Sequence, residues 1–210
     1  MEIIDSFSKL SLGTFDEIQA VQRDESLEDI DKHIRIISLL TGASEDDISH
    51  LPIGEFTELS ARARFLSAEG FQSGRVAKRY LVGEFELVPV TDYRKLETGQ
   101  YIDFQNLAGD LDAHRVQLLS VILVPKGKRY NEGYDILEVQ KAIREEMSVT
   151  DGVAVVAFFL KLCERSIVDM LHYSREEARK IPNKKERKKI LERIKEQEDL
   201  LRTSGDGSQM

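Results

Sequence analysis

The residues able to do chemistry are few and scattered in this chain of 210 residues. His33, His50, His114 and His172 stand far apart, with no pair at the short helical spacing that a zinc site uses. Glu45-Asp46-Asp47 could hold a cation, yet no EF-hand pattern surrounds it, and a capped, solvated turn accounts for it. Lys126-Gly127-Lys128-Arg129 lacks the GxxxxGK[ST] spacing of a phosphate loop. Cys163 sits in an apolar run without a neighbouring base and reads as a small core residue. There is no Gly-x-Ser-x-Gly stretch. The expectation is a protein without catalytic, metal or cofactor sites, and hence one that works by binding.

Composition bounds the rest. With 41% hydrophobic and 32% charged residues the chain can bury a core and stay in water. The single cysteine excludes an internal disulfide and points to a reducing, cytosolic compartment. Met1-Glu2-Ile3-Ile4-Asp5 is not a signal peptide, and Val153 to Leu160 is too short for a membrane span, which needs ~20 residues. The net charge of −8 is uneven. Residues 174–203 carry eleven Lys and Arg against seven Asp and Glu, a net of +4 that leaves −12 elsewhere. A basic tail on an acidic body suits an acidic partner, the body itself, or solvent, and a nucleic-acid role is disfavoured.

Stepping along the chain, hydrophobic spacing predicts a mainly α fold. Gly13-Thr14 precedes a short helix with Asp16 and Glu17 in its first turn. Ser26 is the expected N-cap of a helix with an apolar stripe of Leu27, Ile30, Ile34 and Ile37, ended by Gly42. Ser44 caps an acidic turn, and Pro52 opens a helix to about Ala68. Between about 76 and 88 the period changes to two. Tyr80 and Val82 alternate with Leu81, and Phe85 and Leu87 with Glu86, around a turn at Gly83. A lone hairpin is marginal, so it must pack on the body, pair with another strand, or offer an edge to a partner chain. Helices follow over Thr98–Leu107, Leu111–Leu123, Asp135–Met147 and about 150–173, the last apolar nearly all round for its first half and expected to be the central core helix. Beyond Pro182, Ile190, Leu191, Ile194, Leu200 and Leu201 form a narrow strip on a charged helix.

Two stretches repeat. Leu10-Ser11-Leu12-Gly13-Thr14-Phe15-Asp16-Glu17-Ile18-Gln19 aligns with Leu96-Glu97-Thr98-Gly99-Gln100-Tyr101-Ile102-Asp103-Phe104-Gln105, and Ile34 to Leu40 aligns with Val116 to Ile122. Either the chain is duplicated or two unrelated helical hairpins share a capping style. The matched glycine and internal serine favour duplication. The expected organisation is an N-terminal helical unit (1–73), a hairpin connector (74–91), a second helical unit (92–173), a basic amphipathic tail (174–203) and a disordered end (204–210). Partner contacts are expected at Tyr80, Val82, Phe85 and Leu87 of the hairpin, at Ile190, Leu191 and Ile194, and at Lys184, Lys185 and Lys188.

The repeated pattern, together with Ile36-Ile37-Ser38-Leu39-Leu40-Thr41-Gly42 and the following Leu51-Pro52-Ile53, resembles small helical proteins of tailed bacteriophages. The resemblance covers residues 8 to 70 and, through the repeat, 78 to 125. It implies a non-enzymatic tail morphogenesis factor in the host bacterial cytoplasm, an assembly chaperone that binds tape-measure or tail-tube protein. A permanent virion protein of the neck or tail is the alternative, and a host-directed or nucleic-acid-binding adaptor acting through the basic helix is another. Self-association is left open.

Overall fold

The structure is a computed structural model and describes residues 1–67, 74–111 and 113–205. It is mainly helical with one small antiparallel sheet, and it divides into residues 1–159 and 160–210. Each is built differently.

In the first unit α1 (Leu12–Arg23) starts at Ser11, whose Oγ accepts the Thr14 N–H at 3.1 Å. The helix therefore begins before Gly13, earlier than its acidic turn suggested. α2 (Asp29–Thr41) is N-capped by Glu28, not Ser26; Ser26 instead bonds back to Asp24 through its N–H and its hydroxyl. Gly42 ends α2 in the left-handed conformation (φ 71°), which a glycine adopts without steric cost. Ser44 and Asp47 form a reciprocal capping box on α3 (Glu45–Ser49). α4 (Ile53–Arg62) follows Pro52 and tightens into a 3-10 turn over Ala63–Ser67; the expected end at Ala68 lies outside the described residues.

The hairpin is present as β1 (Tyr80–Val82) and β2 (Phe85–Pro89), and it finds its third strand within the chain. β3 (Leu123–Pro125) pairs with β2, giving the order β1-β2-β3. This corrects the helix expected over Leu111–Leu123. α6 spans Arg115–Ile122 and turns directly into β3, because Pro125 cannot continue a helix and the residue before it is pushed towards extended backbone.

α5 (Thr98–Leu107), α6 and α7 (Ile136–Glu146) complete the unit with the first turns of α8 (Val149–Arg179). The repeated columns occupy like places. Ser11 and Glu97 are both N-caps, Ile18 and Phe104 are both buried, and Ile36, Ile37 and Leu40 are matched by buried Leu118, Leu119 and Ile122. α1 packs on α2 as α5 packs on α6, and Arg115 of α6 bonds Asp16 of α1 at 2.5 Å. The copies diverge afterwards, one into α3 and α4, the other into β3 and α7. Edge-on rings of Phe104 and Phe159, 4.9 Å apart, join α5 to α8. Each such fully buried side chain contributes about 1.5–3 kcal/mol. The chain's start is tied in by backbone. Leu12 N–H donates to the Met147 carbonyl and Val149 N–H to that of Leu10, at 3.0 and 2.9 Å, making a bridge from Ser11 to Ser148.

The second unit is a helical hairpin. α9 (Lys184–Gly205) starts where Asn183 Oδ1 accepts the N–H groups of Lys185 and Glu186 at 3.0 and 3.2 Å. Leu171 and Ala178 of α8 and Ile194 of α9 are its buried core, with Ile167, Ile190 and Leu191 against them. Ser204 and Gly205 belong to α9, while the rest of the expected disordered end lies outside the described residues, as do the side chains of Leu200 and Leu201.

Candidate partner-binding surfaces

On the sheet, strand alternation sends Tyr80, Val82 and Leu87 inward, where they are 7%, 2% and 0% exposed. Phe85 is half-buried opposite Val82. Tyr80, Val82 and Leu87 are core, which corrects their reading as partner contacts, while Phe85 keeps part of its ring in solvent. Alternation alone puts the opposite residues outside, and Leu81 is indeed 80% exposed, with Val88 on the same face. β1 is an outer strand, three residues long. Such a short edge offers few free backbone groups. Around it Glu86 accepts from Lys126 Nζ at 2.9 and 3.0 Å and from Arg79 at 3.1 Å, and both cations hold its carboxyl below the usual glutamate range. The Gly83 turn (φ 57°) is pinned by its N–H donating to Glu146 Oε2 at 3.0 Å.

The basic loop over 126–134 is held by its own turns and by bonds to α5. Gly127 and Gly133 have positive φ, as does Asn131 (φ 55°). Arg129 grips Glu97, the N-cap of α5, through two bonds of 3.0 and 3.3 Å. Tyr130 donates to Asp103 Oδ2 at 2.8 Å, and burial followed by that bond raises the phenol far above its ordinary value. Between this loop, α5, α6 and α7 lies an open cleft of about 300 Å³, with Ser120, Gln117 and Gln140 on its walls. Gln140 Nε2 donates to Ser120 Oγ at 3.0 Å, and Ser120 donates to the Gln117 carbonyl at 2.7 Å, so the inner polar groups satisfy each other.

On the second unit Ile190, Leu191 and Ile194 pack within the hairpin rather than facing outward, because a two-helix unit has no other core to use. Lys184, Lys185 and Lys188 are exposed, and Lys188 lies 3.8 Å from Glu192. α8 is not covered all round: Val168, Met170 and Tyr173 are exposed, at 52%, 59% and 66%. Val168 and Met170 fall in the helix expected to be the central core, but beyond its apolar first half, where only part of the helix is covered.

Among the described residues there is no group of three or more His, Cys, Asp or Glu able to hold a metal ion. The Cys163 thiol is pushed up to about 11 by burial, so it is protonated at neutral pH and a weak nucleophile. His50 lies exposed at the end of α3, with its ring on the Asp46 carbonyl at 2.8 Å. No described helix is long and apolar enough to cross a membrane. Set against protein-family models, curated proteins and solved structures, the chain matches none of them.

Proposed function

We propose that the protein is a non-catalytic binding factor of phage tail morphogenesis, an assembly chaperone for tape-measure or tail-tube protein in the host bacterial cytoplasm. The observation that carries the binding role is the α8–α9 hairpin. Its small core leaves Met170 and Tyr173, three residues apart and so on one side of α8, in water, with Val168 exposed on another side, and leaves the basic side chains of Lys184, Lys185 and Lys188 exposed on α9. An amphipathic client helix that lays its apolar side on Met170 and Tyr173 would use the helix-to-helix mode of recognition. The repeated pattern from Leu10 to Gln19 and Leu96 to Gln105 supplies the phage resemblance and so the client class.

The test is co-purification from infected cells, set beside mass spectrometry of purified particles. Recovery with tape-measure or tube protein, and absence from the particle, is the expected result. Recovery with neither, together with absence from particles, overturns the morphogenesis reading. The outer position of β1, with Leu81 exposed, favours a second reading as a permanent neck or tail subunit that pairs edge to edge with its neighbours. Abundance in the mature particle selects that reading.

A further inference from the structure

The face that α4 and its 3-10 turn present towards α2 carries Ser60, Ala63, Arg64 and Ser67. These fall at steps of three and four residues, so they share one side of the helix. Three of them are small. Their size leaves a cleft of about 160 Å³ over the buried Ile36 and Ile37 of α2, with His33 of α2 and Gln22 of α1 at its rim.

Three of the polar groups at that cleft have a donor to give: Arg64, Gln22 and Ser60, whereas Ser67 already donates its hydroxyl to the Arg64 carbonyl at 2.9 Å. Arg64 contributes a guanidinium that no described carboxylate engages. The Gln22 Oε1 already accepts from Gln19 Nε2 at 3.1 Å, so its NH₂ remains to give. Lys32 lies close by, its Nζ 3.4 Å from the Gln22 carbonyl. No Asp or Glu is among the described lining residues, although the chain holds 38 acidic side chains against 30 basic ones.

Ser60 supplies the independent sign. Its Oγ is shielded from water and has no hydrogen-bond partner among the described residues. A helical hydroxyl usually escapes that fate by folding back on the carbonyl four residues earlier. Thr57 in the same helix does so, donating to Ile53 O at 2.8 Å. Ser60 does not, and an unmade bond of this kind costs about 1–3 kcal/mol. Ser60 as a residue is only partly buried and lines the cleft, so a turn about its Cα–Cβ bond would carry the unbonded hydroxyl from its shielded position to a ligand oxygen there, on the same helix face as Arg64.

We infer that this cleft binds an oxyanion head group, a phosphate or a carboxylate, with Arg64 as its charge partner and the Ser60 hydroxyl as a donor to one of its oxygens. The inference is independent of the morphogenesis reading and concerns a different face of the molecule. The test is a titration of the full chain with inorganic phosphate, and separately with acetate, followed by amide NMR at constant ionic strength with chloride as control. Saturable shifts at Ser60, Arg64 and His33 are expected with at least one of them, and the tighter anion names the head group. Arg64→Ala should weaken that binding by about tenfold or more, as for loss of a charge-assisted bond. Ser60→Ala should weaken it severalfold without lowering Tm, since its hydroxyl bonds to nothing in the free protein. No saturable response beyond chloride would overturn the inference, as would a response unchanged in Arg64→Ala or a Ser60→Ala protein that melts earlier.

Discussion

Gly13 lies so close to Arg144 that a Cβ on it would sit 2.9 Å from both the Arg144 Cγ and the Arg144 carbonyl oxygen. That approach seats α1 on α7. The matching glycine of the repeat, Gly99, meets nothing within 4 Å. The two columns look alike in sequence and should behave oppositely. Gly13→Ala is expected to destabilise by about 1–3 kcal/mol, the usual range for overpacking. Gly99→Ala should be neutral or stabilising by about 0.5 kcal/mol, because alanine restricts the unfolded chain. Denaturant melts of both variants decide this, and equal losses would count against the packing described for α1.

Gln100 is a buried amide whose Nε2 donates to the Val121 carbonyl at 2.5 Å while its Oε1 accepts from Glu97 N–H at 3.3 Å. Replacing it with leucine keeps the bulk and strands both backbone groups. A loss of about 1–3 kcal/mol is expected. An unchanged urea midpoint for Gln100→Leu would show that the bond contributes nothing net.

Much of this was legible beforehand, and the failures are instructive. Tyr80, Val82, Phe85 and Leu87 announced the hairpin through a period of two, and Ser44, Asp135 and Gly42 marked helix ends through capping chemistry that depends only on neighbours. β3 was hidden because Leu118 to Leu123 is a short, mostly apolar run in which every residue is buried, and such a run has no period to separate strand from helix. Ile30 looked like core by spacing yet is half exposed, while Ile36 and Leu40 are buried; which stripe of α2 faces inward depends on where α1 and α4 lie. The cleft at Ser60 had no sequence signal beyond small residues on one helical face.

Glu86 gives the acid limb a handle. Lys126 and then Arg79 lower its carboxyl below the ordinary value of 4.5. A carboxylate whose folded value is depressed stabilises at pH above the unfolded value, and the contribution is lost as pH falls through the folded one. Glu86→Gln should therefore be less stable than wild type at pH 7 and converge with it towards pH 3. Salt should shrink the gap, since the network is largely exposed. Parallel stability curves across this range would rule the network out.

Tyr130 does the same on the alkaline side with the opposite sign. Burial and the bond to Asp103 raise its phenol above the ordinary value of 10, so the neutral form belongs to the folded state. Its contribution is complete below pH 10 and is lost as pH climbs beyond that. Burial raises Tyr80 and Tyr134 as well, so in a phenolate absorbance titration the wild type should hold back several late-ionising tyrosines, and Tyr130→Phe should lose the latest of them. Identical alkaline titrations apart from amplitude would refute the Asp103 bond.

Among the described side chains of α9, Ile194 is the one buried in the core of its hairpin. Ile194→Asp places a charge there, and α9 should lose helix while residues 1–159 melt as before, because each unit has its own core. Circular dichroism should show a lower helical signal, and limited proteolysis should cut within 184–205. A single lowered transition for the whole chain would mean that the two units melt together.

The bridge from Ser11 to Ser148 also sets a timetable. About 135 residues separate Leu12 from its acceptor Met147, and at ~5–20 residues per second their synthesis takes roughly 7–27 s. Throughout that interval α1 can pack on α2, made directly after it, but lacks its berth against α7. The side of α1 that α7 will cover is open to misassociation until α7 and the first residues of α8 have been made.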